Sequence, residues 1–179
     1  MAEPLEEMLT GGHPNSLGRT VEVVDVVLAD PARFHELFGC YESADAVVRL
    51  RMSSAIKRVA EARPDLIDPY LDRLISEVGA LDQASAQWTL AQLFLRLEAR
   101  LSADQRKAAQ ALMQRNLSER HDWIVLDTTM ETLCAWAKTD PALADWLGPE
   151  FERLSRDPRK SVARRAARGL ATLCARGKA

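Results

Sequence analysis

One helical stretch decides the fold, and it reads Val48-Arg49-Leu50-Arg51-Met52-Ser53-Ser54-Ala55-Ile56-Lys57-Arg58-Val59. Its apolar residues recur three or four positions apart, which predicts an amphipathic helix. A variant returns 114 residues later as Val162-Ala163-Arg164-Arg165-Ala166-Ala167-Arg168-Gly169-Leu170. Val48 aligns with Val162, and Arg51 aligns with Arg165. The recurrence predicts a chain built from repeated helical units.

Two further segments fit between these helices at related spacing. With Val23, Ile56, Leu93, Leu133 and Leu170 taken as equivalent, successive units are 33, 37, 40 and 37 residues long. A proline stands eight residues after three of these positions, at 31, 64 and 141. Because proline is tolerated in the first turn of a helix but not in its interior, each unit is predicted to be a helix, a short turn and a second helix.

This pattern resembles the HEAT and HEAT-like (armadillo-type) α–α repeats. The resemblance rests on the Asp-Pro or Arg-Pro turns and on the Val-x-x-Arg segments that begin at Val48 and Val162, and it covers about residues 17–177. It implies an all-α fold, an α–α superhelix (solenoid) of about five helix hairpins. In that family the second helices line a concave surface, which usually holds a protein partner. The central unit departs from the pattern, because Trp88 replaces the arginine and Leu101 replaces the proline.

Two regions are predicted along the chain. Residues 1–16 form an N-terminal extension with a short helix near Leu5, and residues 17–179 form the repeat domain. Ser16 is predicted to cap the first long helix. The Val-rich segment 21–28 is assigned to that helix, because a lone strand would leave its backbone unpaired. Gly148-Pro149 is predicted to interrupt or kink a later helix.

The composition is that of a soluble helical protein, with 47% apolar and 28% charged residues. No apolar run reaches the length of a membrane span, and the N-terminus lacks an apolar signal core. We therefore expect a cytoplasmic location and no membrane partner. Cys40, Cys134 and Cys174 are odd in number and far apart, which predicts reduced, mostly buried thiols.

No catalytic, cofactor-binding or metal-binding residues are predicted. His13, His35 and His121 are scattered, without the spacing of metal ligands. Arg51 and Arg165 are predicted to form a structural ladder, in which each arginine bonds a carboxylate or carbonyl of a neighbouring repeat. The expected function is that of a non-enzymatic scaffold that binds an unidentified protein, without metal or cofactor.

The predicted partner-binding surface is the polar face of the second helices, which we place at about residues 66–78, 103–116 and 143–154. This face mixes charge signs, which suits a protein more than a phosphate backbone. Its members are Asp68, Asp72, Arg73, Arg106, Gln110, Glu150 and Arg153.

The alternative is nucleic-acid binding through the C-terminal basic segment. Residues 151–179 hold nine Lys or Arg against two acidic residues, a charge of +7, which leaves −9 for residues 1–150. Such asymmetry can mark a surface for nucleic acid or for an acidic partner, or simply a solvated terminal helix. The residues of this alternative basic face are Arg159, Lys160, Arg164 and Arg168.

A specific form of this alternative comes from the resemblance. Some HEAT-like proteins are DNA alkylation-repair glycosylases, which hold damaged DNA with concave tryptophans, an acid and basic residues. Here the four tryptophans lie in apolar stretches, which favours core packing. The acidic balance of residues 1–150 also disfavours a groove lined by DNA.

Overall fold

The computed structural model describes residues 2–13 and 16–176, and within them every regular element is helical. The all-α prediction is therefore confirmed. Residues 1, 14 and 15 of the predicted extension lie outside the described residues, as do residues 177–179 of the predicted repeat domain. The chain divides into two compact units, Met1–Thr89 and Leu90–Ala179.

Ten α-helices occur in the described residues, joined by turns and short 3-10 segments. They are α1 Leu5–Leu9, α2 Thr20–Ala29, α3 Phe34–Gly39, α4 Ala46–Ala62, α5 Leu71–Ser76, α6 Ala84–Arg96, α7 Ala103–Glu119, α8 Trp123–Trp136, α9 Pro141–Leu154 and α10 Lys160–Arg176.

In the first unit, α4 is the central helix and packs against α1, α2 and α3. Asp45 caps it by accepting a hydrogen bond from the backbone N–H of Val47 at 2.8 Å. The residues predicted to face the core, such as Val48, Met52 and Ile56, are fully buried. Residues 48–59 therefore belong to the helix around which the core of this unit packs.

Helix α2 begins later than predicted. Its Val-rich sequence is helical, as expected, but α2 begins at Thr20 and Ser16 does not cap it. The Ser16 hydroxyl instead accepts a hydrogen bond from the backbone N–H of Gly18 at 3.1 Å. Gly18 has a φ of +51°, which lies outside the helical region. The left-handed turn at Gly18 therefore delays the start of the helix.

The second helix of the next unit is much shorter than the predicted 66–78. The α-helical part is only Leu71–Ser76, preceded by 3-10 turns at Pro64–Leu66 and Asp68–Tyr70. Pro69 has no N–H to donate, and its ring would clash with the carbonyl four residues earlier in a continuing α-helix. The predicted inward-facing positions are confirmed, since Ile67, Leu71 and Leu74 are buried. The prolines limit only the length of the α-helix.

In the second unit, α10 packs against both α8 and α9, and α7 packs against α8. The core contains Leu133, Trp136, Phe151 and Val162, each fully buried. A capping box is present at the start of α7, with Ser102 and Gln105 bonding each other's backbone N–H groups. Contrary to the prediction of an interruption, α9 continues past Pro149 to Leu154.

Arg51 is one of the two arginines predicted to form a structural ladder, and it is only 2% exposed. Its Nη1 donates to the carbonyls of Leu9, Thr10 and Gly11 at 2.7, 3.1 and 2.6 Å. Nη2 donates to the carbonyl of His13 and Nε to that of Ser16, at 3.2 and 3.1 Å. Among the described residues no carboxylate forms an ion pair with it. The guanidinium thus satisfies backbone acceptors that the end of α1 leaves without partners.

Arg165 is the matching arginine on α10, and it binds a carboxylate. Its Nε and Nη2 each donate to one oxygen of Asp127 on α8, both at 2.8 Å. A second carboxylate, that of Glu131, lies 3.8 Å from Nη1. The hydrogen bonds from Arg165 to Asp127 raise the pKa of the arginine further. Both bonding types named for the ladder, carbonyl and carboxylate, are therefore present.

Candidate functional site

The predicted mixed-charge face begins in the first unit with three residues around α5. Asp68 lies in a 3-10 turn, Asp72 is exposed on α5, and Arg73 is half-buried beside it. Arg73 pairs with Glu77 at 2.7 Å and with Glu42 at 3.6 Å. Its guanidinium also lies over the ring of Phe38, 4.6 Å from the centroid. The charge of Arg73 is therefore already balanced within the chain.

The remaining members of that face lie in the second unit, where Arg106 has three partners. It pairs with Glu98 at 3.3 Å and with Asp140 at 3.9 Å, and it stacks over Trp136 at 4.4 Å. Gln110 is half-buried one turn further along α7. These contacts hold Arg106 against its own unit, so its main role is structural.

Glu150 and Arg153 form a pair of their own at 2.6 Å on α9. Arg153 also donates to the carbonyl of Leu117, at the end of α7, at 3.0 Å. The structure thus brings Glu150 and Arg153 together as predicted neighbours. Their charges, like that of Arg106, are paired with opposite charges inside the second unit.

The alternative basic face lies on α10, whose position is set by a regular register with α8. Arg159 donates to the carbonyl of His121, Arg165 pairs with Asp127, and the Thr172 hydroxyl is hydrogen-bonded to the Cys134 thiol. Each of these pairs is separated by 38 residues. A constant offset means that α8 and α10 run parallel in fixed register.

Three of the four residues of the basic face form a stripe along α10. Lys160, Arg164 and Arg168 are spaced four residues apart, so they lie on one side of the helix, and all three are exposed. None of them has an ion-pair partner among the described residues. We call Lys160, Arg164 and Arg168 the basic stripe.

Arg159 differs from the residues of the basic stripe, because its charge is used locally. It pairs with Asp157 at 2.7 Å and donates to the carbonyl of His121. The hydrogen bond from the Arg159 side chain lowers the pKa of Asp157 to about 2. Arg159 therefore fixes the start of α10 rather than presenting a free charge.

An exposed tryptophan lies at the same end of the helix pair. Trp123 is the first residue of α8 and is 51% exposed. In the 38-residue register it lies level with Ser161, next to Lys160. Trp136, in contrast, is completely buried, and Trp88 and Trp146 are half-buried. The prediction of core packing is confirmed for Trp136 and wrong for Trp123, whose exposed ring lies beside the basic stripe.

The comparisons with known proteins are negative. No protein-family model, curated protein or solved structure matches this chain.

A cleft in the second unit was not predicted. It has a volume of about 320 Å³ and lies where α8 and α10 face each other above Phe151 of α9. Its depth depends on Gly169, where a Cβ atom would come within 2.2 Å of the Phe151 ring. The Cys134 thiol is on its wall, and burial raises the pKa of that thiol.

The three cysteines differ in access, and none forms a disulfide. Cys40 is buried, and burial raises its pKa to about 12. Cys134 is half-buried and Cys174 is exposed, so the prediction of mostly buried thiols is wrong for Cys174. Cys174 lies in the last turn of α10, which ends at Arg176.

Two searches of the described residues gave negative results. No group of three or more His, Cys, Asp or Glu side chains in residues 2–13 and 16–176 is arranged to hold a metal ion. Over the same ranges, no helix has both the length and the apolar character needed to cross a bilayer.

The sequence alone predicts the residues of the basic stripe, because four-residue spacing of basic residues on a helix places them on a single charged face. The cleft could not be predicted in this way, because its walls come from helices whose register is set by contacts between residues 38 positions apart.

Proposed function

We propose that this chain is a non-enzymatic helical-repeat scaffold that binds an acidic surface of another protein through the basic stripe. The observation that carries the proposal is that Lys160, Arg164 and Arg168 are exposed, aligned and without ion-pair partners in the described chain. By contrast, Arg73, Arg106 and Arg153 of the mixed-charge face have carboxylate partners within their own units. A charged side chain without an ion-pair partner attracts a binding protein more strongly than one that is already paired.

The composition of α10 supports an acidic partner. The helix carries five basic residues and no acidic ones, so it has a formal charge of +5. An acidic partner surface would meet this field over the length of the helix, which speeds association and fixes orientation. The chain's remaining acidic excess would at the same time repel acidic partners elsewhere.

Trp123 supports a protein rather than a purely ionic partner. Tryptophan and arginine are the residues most enriched among those that dominate protein-binding energy. An exposed indole beside Lys160 offers apolar area at the end of a charged stripe. We infer that Trp123 and the basic stripe act as one surface.

The parallel register of α8 and α10 supports the repeat architecture that this proposal assumes. Helices at equivalent positions of successive HEAT-like units run parallel, and the offset of 38 residues lies within the unit lengths of 33–40 expected from the sequence. We therefore propose that the ten helices are arranged as the hairpins of an α–α superhelix.

Nucleic-acid binding is the second candidate, and the same stripe favours it. Lysine and arginine on one helix face neutralise phosphates without reading sequence. The form of this candidate that resembles alkylation-repair proteins needs tryptophans open to a base. Trp136 does not fit that role, since it is buried beneath Arg106.

Site-specific photo-crosslinking separates these possibilities. A photoreactive residue placed at position 164, in cells that express the full chain, should give an adduct that protease removes and nuclease does not. Adding Lys160→Glu should reduce that adduct at least about tenfold, because one of the attractive charges is reversed. The matched control places the same photoreactive residue at position 72.

Three outcomes contradict the proposal. An adduct at position 164 that nuclease removes supports the nucleic-acid candidate instead. An adduct at position 72 that Lys160→Glu leaves unchanged assigns binding to the mixed-charge face. Adducts at neither position overturn both protein-binding surfaces.

A further inference from the structure

We infer that the cleft between α8 and α10 binds a small free molecule that has one acidic group and an apolar body. This site is separate from the protein-binding surface proposed above, and it shares only Arg168 with the basic stripe. Five side chains and the size of the cleft carry the inference.

The floor of the cleft is apolar. Leu95, Cys134 and Ala135 are half-buried there, whereas Phe151 and Met130 expose almost no surface. Gly169 has no side chain, so the ring of Phe151 lies directly against the backbone of α10. An apolar body laid on this floor would be removed from water without leaving polar groups unpaired.

The rim of the cleft is basic. Lys138 and Arg168 are exposed at the edge, and neither has an ion-pair partner among the described residues. The other charged residues of the lining are Arg165 and Glu131, which lie 3.8 Å apart. Three basic residues against one acidic residue give the lining a formal charge of +2. The rim therefore favours an anion.

These two parts together define the ligand class. The acidic group would lie at the mouth beside Lys138 and Arg168, and the apolar body would extend onto Leu95 and Ala135. A volume of about 320 Å³ falls at the lower end of the range for small-ligand clefts, which excludes a long lipid chain. The ligand is therefore a free, short amphiphilic acid rather than a membrane lipid.

Calorimetric titration of the full chain tests this with three matched probes. Octanoate carries both the acid and the apolar chain, 1-octanol carries only the chain, and acetate carries only the acid. We expect octanoate to bind at one site, and the other two probes to bind at least about tenfold more weakly. Hexanoate should bind about tenfold more weakly than octanoate, since each buried methylene contributes about fourfold.

Variants place the binding in the cleft. Lys138→Glu should weaken octanoate binding about tenfold, and Thr172→Trp should abolish it by filling the mouth. Arg164→Glu is the matched control, because it reverses a charge on the same helix outside the cleft, and it should change nothing. Circular dichroism of each variant should match that of the parent chain.

A second readout does not depend on any variant of the rim. In a Cys174→Ser background, octanoate should slow alkylation of Cys134, which lines the cleft, at least about fivefold at saturation. Buried Cys40 should stay slow with or without octanoate. The inference is overturned if octanoate fails to bind, or if it binds equally to Thr172→Trp, or if Cys134 is not protected. Each of these results leaves the crosslinking outcome at position 164 unaffected.

Discussion

Arg51 and Arg165 occupy matching positions of two related sequence segments, yet they are held in opposite ways. Arg51 is 2% exposed and binds five backbone carbonyls, whereas the Arg165 side chain is 32% exposed and binds the carboxylate of Asp127. The first arrangement uses the cation to complete the hydrogen bonding of a loop. The second uses it to hold two helices in register. The comparison shows that arginines at matching sequence positions can bind the backbone in one helix environment and a side chain in another.

The largest expected effect is at Arg51. Arg51→Ala would leave five carbonyl oxygens without their donor and would open a cavity in a packed region. We expect the free energy of unfolding to fall by at least about 3 kcal/mol. Urea denaturation followed by circular dichroism measures this loss. Arg51→Lys should recover only part of it, because an ammonium cannot reproduce the fork of donors.

A cost near or below 1 kcal/mol for Arg51→Ala would contradict the arrangement described here. It would mean that water replaces the guanidinium at little cost, as expected for an exposed loop.

The next effect concerns the glycine beside Arg165 on α10. A Cβ atom at position 169 would meet Phe151 at 2.2 Å, and the Phe151 ring is buried and cannot move freely. Gly169→Ala should therefore destabilise the chain by about 2 kcal/mol, although alanine ordinarily favours a helix. Thermal denaturation measures the change. Gly148→Ala on α9 is the control, because nothing lies within 4 Å of a Cβ there, and it should be neutral or stabilising.

Arg165→Ala should have a smaller effect, of about 1 kcal/mol, because the ion pair with Asp127 is partly exposed. The sharper test is its dependence on salt. Denaturation at 0.05 M and 1 M NaCl should show the cost of Arg165→Ala shrinking as salt screens the pair. The cost of Arg51→Ala should stay constant, since no carboxylate is involved. Equal salt dependence at the two sites would remove the distinction between them.

The smallest expected effect is on the pH dependence of the free energy of unfolding. It distinguishes arginines paired with a carboxylate from Arg51, which has no such pair among the described residues. The folded-state pKa of Asp157 is lowered from 3.8 to about 2 by the hydrogen bond from Arg159. This pair contributes its stability above the unfolded pKa and loses it as pH falls through about 2. Asp157→Asn should therefore cost up to about 1 kcal/mol at pH 7 and almost nothing near pH 2. Denaturation midpoints over this range provide the measurement, and a cost that persists in acid would argue against ionisation of Asp157 as its source.

Much of the fold follows from local pattern. The apolar periodicity of α4 and α8 predicts their buried faces, because the positions that must leave water are fixed by the helical repeat. The apolar periodicity near α5 predicts a longer helix than the one observed, because it does not account for Pro69. The missing N–H of this proline limits the length of the α-helix. Likewise, the left-handed φ of Gly18 moves the start of α2, and a Cβ atom there would come within 2.9 Å of the Arg51 guanidinium, which lies 33 residues later in the chain.

The candidate sites were predictable to different extents. The basic stripe is a property of one helix, so the spacing of Lys160, Arg164 and Arg168 is enough to indicate it. Which charges of the mixed-charge face would be paired depends on partners such as Glu42 for Arg73, which lies 31 residues away in the chain. The cleft is lined by residues of four helices, including Gly169 without a side chain, so no single segment carries its signal.

The carbonyl bonds of Arg51 also have a consequence for the order in which the chain folds. The acceptors lie between residues 9 and 16, and their common donor follows 35 to 42 residues later. On the ribosome, the acceptor segment is therefore synthesised well before the side chain that binds it. Until α4 has formed, that segment can bond only to water or to itself. The ordering of this segment therefore has to wait for α4, although the segment itself is synthesised earlier.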